Sequence, residues 1–305
     1  MTEPRLLPAP PTSRRLGPAG PAISPIAWGM WRFKGEDVAH AQSLVEAALA
    51  AGITLFDTAD IYGPDNGEVF GAAEALLGRV FAAAPGLRGK MVLASKGGII
   101  IGVPYDSSAA YITAAIDASL NRLGVEHLDL WQIHRPDVLT HPQEMARALD
   151  DAIKAGKIGA VGVSNFTTAQ TAALAHFLDA PLASIQPELS ALCIDPIADG
   201  SLDQAMTLGA SVLAWSPLGG GRIAFPTSKR ELDVVEALDS VAKAQGVSRT
   251  AAAYSWIMAH PSGAIPIVGS QQVERIAEAA DALKIRWSRA DWYSVLVASR
   301  QEPLP

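Results

Sequence analysis

Short apolar runs rich in β-branched and aromatic residues recur along the chain: ITLFD (53–57), MVLASK (91–96), HLDLWQIH (127–134), IGAVGVSN (158–165), LASIQPE (182–188), ASVLAWSP (210–217) and the short AIPIVG (264–269). Runs of about four to eight such residues, bounded by turn-formers, fit strands buried on both faces. Between them lie longer Ala/Leu-rich segments with apolar positions at helical spacing, over 38–51, 67–82, 109–123, 142–155 and 169–178. Local punctuation agrees. Ser107 or Ser108 stands where a side-chain oxygen can accept from a free N–H at the start of the third segment. Gly124 and Gly156 follow the third and fourth segments, where a left-handed residue closes a helix.

Strand, helix, strand at this rhythm implies right-handed crossovers and a parallel sheet. About eight such units can be counted, which favours a closed (β/α)8 TIM barrel, of the α/β class, over an open doubly wound sheet. No GxGxxG follows the first strand, which also argues against a dinucleotide-binding open sheet. The length of 305 residues suits one such barrel. Residues 1–12, proline-rich and without periodicity, read as a loose tail, and 13–305 as a single barrel domain. The segment GGGRIAFPTSKR (219–230) reads as a long polar loop after the seventh strand, of the kind that covers a site.

A parallel barrel gathers its strand C-terminal ends on one face. Asp57, Lys96 and His134 close three successive runs, Tyr62 follows Asp57 by five residues, and Ser164 and Asn165 close the next run. An acid, a cation, an imidazole and a phenol brought together suit proton donation to a carbonyl. A phenol near pKa 10 is a poor acid at neutral pH. An ammonium about 4 Å away, at an effective dielectric of about 20, contributes roughly 4 kcal/mol, or about three pKa units. Lys96 is expected to lower Tyr62 toward about 7 in this way, and Asp57 to fix Lys96 while discounting the effect. His134 is expected to orient the substrate oxygen.

Composition narrows the alternatives. The net charge of −7 rules out a chain-wide basic field for nucleic acid or anionic membrane. Hydrophobic content of 49% supports a large core, yet no apolar run is long enough to span a bilayer. The N-terminus lacks a secretory pattern, so the expectation is a cytoplasmic protein, monomeric by default. One cysteine, Cys193, excludes an intrachain disulfide. The six histidines (His40, His127, His134, His141, His176 and His260) form no HxH or HxxxH pair, so no metal site is expected. A nucleophile elbow, GxSxG, is absent.

Taken together, DTADIYG, LASKGG, IHRPD, GVSNF, AWSPLGGG and IPIVGSQQVERI resemble the aldo-keto reductases, in order and spacing, from about Leu16 to Trp292. WGMWRF (28–33) and HRPDVLTHP (134–142) look most like a bacterial branch of oxidoreductases in that family. The resemblance implies reduction of an aldehyde or ketone by hydride transfer from a nicotinamide cofactor, with Tyr62 as general acid and Asp57, Lys96 and His134 around it. It implies that Ser164, Asn165 and Gln186 hold the nicotinamide carboxamide and Trp215 stacks on its ring. Ser216, Pro217, Leu218, Gly219 and Gly220, with Arg222, are implied at the pyrophosphate. Gly29 and Met30 follow the first strand beside the cofactor, and Trp31 walls the substrate pocket with Tyr62 and His134. Gly269, Ser270 and Arg275 mark the adenosine end; Ser270 is also expected to cap the helix that follows. Arg275 can pair with a 2′-phosphate. The family's commonest pattern has a lysine where Gly269 stands, so one positive charge is lost and NADH is possible; but no acidic residue sits there to claim a ribose 2′-hydroxyl, and the expectation is NADPH.

Two other uses of the same residues are conceivable. Potassium-channel β-subunits of this family bind NADPH as regulatory partners, so the chain could be a redox-sensing module with slow turnover. A barrel aldolase or isomerase could instead use Lys96 as a Schiff base, and would need no nicotinamide.

Overall fold

The computed structural model describes residues 5–304. Eight parallel strands close a barrel in chain order: β1 (Ala27–Gly29), β2 (Leu55–Asp57), β3 (Val92–Gly97), β4 (Leu130–Ile133), β5 (Val161–Ser164), β6 (Leu182–Gln186), β7 (Ser211–Ala214) and β8 (Ile265–Val268), with β8 paired to β1. Helices α1 (Val38–Ala50), α2 (Ala72–Ala83), α3 (Ala109–Leu123), α4 (Pro142–Lys154), α5 (Thr168–Phe177), α6 (Ser201–Leu208), α7 (Lys229–Gln245) and α8 (Arg249–Met258) surround it. The (β/α)8 expectation holds.

The register explains why the interior changes character from floor to mouth. Cα pairing aligns Leu55 with Val92 and Ala94 with Leu130, then Lys96 with Gln132, Gln132 with Gly162, Gly162 with Ser184, and Ser164 with Gln186. Side chains alternate faces along a strand, so the lower inward positions are apolar and the upper ones polar. The floor is a buried cluster of Leu55, Val92, Ala94, Leu130, Leu213, Ile265 and Ile267. It is stoppered by Leu16 and Ile23 from a small antiparallel hairpin (Arg14–Arg15 with Ala22–Ile23). Each buried Val, Leu or Ile side chain there contributes about 1.5–3 kcal/mol. The outward positions, among them Trp28, Phe56, Leu93, Trp131 and Val163, pack under the helices.

Several boundaries differ from the sequence reading. Gly29 closes β1 rather than following it, and Trp28 before it is fully buried. Helix α2 begins at Ala72 because Gly71 is left-handed (φ 80°) and the preceding residues form a turn. Lys229 and Arg230 belong to α7, where Ser228 and Glu231 form a reciprocal capping box, so the loop after β7 ends at Ser228. Ser108, not Ser107, caps α3, and Gly124 closes it at φ 64°. Residues 1–4 of the expected tail lie outside the described residues. Leu7 N–H donates to Trp287 O at 2.7 Å and Leu6 bridges Ser288, so this part of the tail is tied to the C-terminal segment.

One polar cluster lies outside the barrel wall. Ser95 faces outward from β3 and donates to Glu74, which also pairs with Arg122 at 2.7 Å. Beside them Asp60 is buried and accepts from the Tyr111 hydroxyl at 3.1 Å. Burial, reinforced by the charge of Glu74, pushes the Asp60 carboxyl up to about 7; Tyr111, Arg122 and the Ile61 N–H pull less strongly the other way. The reference value is 3.8, so between about pH 4 and 7 the folded chain keeps a proton that the unfolded chain has lost. Folding stability therefore falls as pH rises through this window, by something on the order of 4 kcal/mol from this group. Urea unfolding at about pH 5 and about pH 8 is expected to show that Asp60→Asn flattens this dependence. An identical pH difference in the variant refutes the assignment.

Candidate active site

At the barrel mouth the end of β2 supplies Asp57 and the end of β3 supplies Lys96. Lys96 is fully buried, and its Nζ donates to Asp57 Oδ2 at 2.6 Å and to Thr58 O at 2.9 Å. The other Asp57 oxygen accepts from Gln186 Nε2 at 3.0 Å and Gln132 Nε2 at 3.4 Å. Gln132 in turn accepts from Ser184 at 3.0 Å. Three strands thus hold one carboxylate carried by a fourth. Gln132 escaped the sequence reading, although it stands two residues before His134 and so shares its inward face.

Lys96 Nζ lies 4.9 Å from the centroid of the Tyr62 ring, and the rings of Tyr62 and His134 meet edge to face at 5.8 Å. Both residues remain partly exposed at the mouth. The electrostatics correct one expectation. Desolvation raises the Tyr62 phenol above 10, and the opposing pull of Lys96 is itself offset by Asp57. The phenol does not descend toward 7, because the cation is already neutralised by its partner. Lys96 behaves likewise: burial opposes its charge, but Asp57, Tyr62 and the hydrogen bonds to them win, and its pKa is raised. His134 is driven well below 6.5, first by desolvation and then by the charges of Lys96 and Arg135. Its imidazole is neutral at pH 7, and its Nδ1 has no partner among the described residues. A Schiff base on Lys96 requires a free neutral amine, which this bound ammonium is not.

Beside this set, Ser164 donates to Gln186 O at 2.9 Å, and Asn165 donates to Ser164 Oγ at 2.8 Å and to His134 O at 3.3 Å. Asn165 Oδ1 accepts from Trp215 Nε1 at 2.9 Å. Asn165 and Ser216 both adopt left-handed backbones, φ 59° and 51°, an unusual conformation for residues with side chains. The three amide-binding candidates and Trp215 therefore form one network. Arg135 was also missed. Its guanidinium lies 5.7 Å from the Trp215 ring centroid and makes no hydrogen bond or ion pair among the described residues.

The remaining candidates fare unequally. Met30 is fully buried in the core, its N–H donates to Asp57 O and its carbonyl accepts from Phe33. Gly29 lets β8 approach: a Cβ there would sit 2.6 Å from Ile267. Both residues shape the mouth with their polar groups already engaged, since Gly29 O accepts from Gln271. Trp31 is 44% exposed and donates to Asp65. In the turn after β7, the Gly219 N–H is taken by Ser216 O, and the Arg222 Nε donates back to Gly219 O. Pro217 and Gly219 are buried, Leu218 is half-buried and Gly220 is exposed. Ser270 does not cap the following helix α9 (Val273–Glu278), whose cap is Gln272; its Oγ accepts from the Gln272 N–H instead. The segment is tied to β1, because Trp28 Nε1 donates to Ser270 O at 2.9 Å.

These residues fit an extended nicotinamide dinucleotide. An aromatic plane and a cross-linked amide set lie beside the phenol. A Cβ at Gly220 or Gly269 would meet nothing within 4 Å, which leaves room for a ligand to approach the backbone. Arg275 is exposed and makes no ion pair among the described residues. No group of three metal-ligating side chains occurs among the described residues, and no helix there is long and apolar enough to cross a membrane.

The aldo/keto reductase family model matches residues 25–296. A protein of Novosphingobium aromaticivorans named 6-dehydroglucose reductase is 62% identical over 98% of this chain and 99% of its own. A second 6-dehydroglucose reductase, from Agrobacterium fabrum, is 39% identical over 90% of this chain and 93% of its own. Among solved structures, a glycerol dehydrogenase from Gluconobacter oxydans superposes with a TM-score of 0.82 at 28% identity, covering 96% of this chain and 98% of that one. Aldo-keto reductases use nicotinamide cofactors, so the barrel, its mouth and these likenesses lead to one conclusion: the chain belongs to the aldo/keto reductase family and is an oxidoreductase acting on carbonyl groups.

Proposed function

We propose that the protein is an NADPH-dependent reductase of a sugar aldehyde, reducing the C6 carbonyl of 6-dehydroglucose to the primary alcohol, with Tyr62 as proton donor. The observation that carries this reading is the buried Asp57–Lys96 pair beneath Tyr62, with neutral His134 across from it. The substrate rests on the two relatives of that name. A nicotinamide cofactor held at this mouth would supply the hydride for the carbonyl carbon. His134, a neutral imidazole, orients the carbonyl oxygen by donating a ring N–H. Tyr62 gives its proton to the oxygen as negative charge develops there. Lys96 stabilises the phenolate left behind, and Asp57 holds Lys96 in place. Ser164, Asn165 and Gln186 would hold the carboxamide, Trp215 the ring, Ser216 to Gly220 and Arg222 the pyrophosphate, and Ser270 and Arg275 the 2′-phosphate. We read the protein as cytoplasmic, without a nucleic-acid or membrane partner.

The purified protein is expected to oxidise NADPH in the presence of 6-dehydroglucose and to form glucose, followed by the loss of cofactor absorbance. Absence of turnover with folded, cofactor-binding protein removes the substrate; glycerol-type substrates then come next. Arg275→Ala is expected to raise the KM for NADPH by about tenfold or more while leaving that for NADH nearly unchanged, as loss of one charge-assisted contact predicts. Equal effects on both cofactors would remove the 2′-phosphate assignment.

A further inference from the structure

Asp60 belongs to the same DTADIYG segment as Tyr62 but has no part in the chemistry, and it faces away from the barrel. A Cβ on Gly97 would approach Asp60 Oδ2 at 2.8 Å and the Trp131 ring at 2.7 Å, so the carboxyl lies on the outer side of β3. Its Oδ1 is buried without a hydrogen-bond partner among the described residues, although the residue is only 1% exposed. It lines an open pouch of about 380 Å³ between the turn before α2, helix α3 and the loop after β3. The other walls are apolar: Phe70, Ile100, Ile101, Ala114, Ala115 and Ala118, with Tyr111 and Arg122 at the edges. A volume of this size accommodates a small organic molecule.

Charge decides which kind. Asp60 and Glu74 supply two carboxyls and Arg122 one guanidinium, and Arg122 is spent on Glu74 at 2.7 Å. With Asp60 ionised, the cluster is one positive charge short. A buried carboxylate without a counterion is costly, and the elevated Asp60 pKa reflects this deficit. We propose that the pouch is a second ligand site, taking a monoammonium compound with a short apolar tail, its head pairing with Asp60 and its tail lying against Phe70, Ile101 and Ala118. A cation restores neutrality and gives Oδ1 the donor it lacks. An alcohol supplies a donor without the charge, and a carboxylate repels. The groups facing Asp60 are Glu74 from α2 and Tyr111 and Arg122 from α3, and Asp106 in the loop after β3 acts on Tyr111. Burial holds the Asp60 carboxyl near 7, so ammonium binding strengthens as pH rises through about 7.

The test is saturation-transfer NMR on the full chain with hexylammonium, hexanol and hexanoate. Hexylammonium is expected to bind at least about tenfold more tightly than hexanol, the size of a charge-assisted contact, and hexanoate not at all. Asp60→Asn is expected to abolish the preference for the amine. Ala118→Phe fills the pouch without touching the carboxylate, and is expected to displace the ligand while carbonyl reduction continues. Three results each overturn the proposal: no hexylammonium binding to the wild-type chain, equal binding of amine and alcohol, or undiminished binding by Ala118→Phe.

Discussion

Tyr62→Phe lowers kcat for carbonyl reduction by about 10²- to 10⁴-fold, the usual worth of a positioned general acid, and leaves cofactor binding intact. The phenol is the only proton donor of this set facing the substrate side, because Lys96 is spent on Asp57 and Thr58 and His134 is neutral. Steady-state kinetics, with cofactor titration followed by quenching of Trp215 and its neighbours, separates the two effects. The pH profile carries a second signature. Tyr62, raised above 10 by burial, stays protonated across neutral pH. The reduction rate is therefore flat there, whereas alcohol oxidation, which needs the phenolate, climbs into the alkaline range. His134 is displaced well below 6.5, so no inflection is expected near that value. A variant with near-wild-type turnover, or a reduction rate that falls through about pH 6.5, removes the roles given to these two residues.

Lys96→Met is expected to be as inactive as Tyr62→Phe, and also less stable. Removing one partner of a buried ion pair leaves the other charge without compensation, at a cost of about 3–5 kcal/mol. Gln186 and Gln132 still donate to Asp57 and soften the loss. A second change, Asp57→Asn in the Lys96→Met background, removes the stranded carboxylate and should recover most of the stability without recovering turnover. Urea unfolding and kinetics on the same samples test both halves. If stability and activity return together, Lys96 acts only through the fold; if Lys96→Met alone keeps its activity, the stabilisation of the Tyr62 phenolate by Lys96 is wrong.

Much of this arrangement was legible because strand-end positions in a parallel barrel converge whatever the loops do. The runs ending in Asp57, Lys96 and His134 gave the strands, their order and the face on which chemistry collects, and Tyr62 came with the turn after Asp57. Gln132 was equally readable from its period-two spacing with His134, but a lone glutamine in an apolar strand draws no notice without a partner across the barrel. Arg135 was hidden for a different reason: only the fold brings Trp215 beneath its guanidinium.

What the chain determined alone was therefore the local periodicity, a serine cap at 107 or 108 and the glycine stop at Gly124, and the identity of the groups at the mouth, since these depend on neighbours a few residues away. The tertiary structure decided their energetics. Tyr62 is raised rather than lowered because burial and the compensating Asp57 outweigh Lys96, a balance set by distances among residues from different strands. It also decided which way Asp60 faces. Three positions from a residue that points into the barrel, its carboxyl is turned out against Glu74 and Tyr111, where low dielectric and a missing countercharge govern its proton.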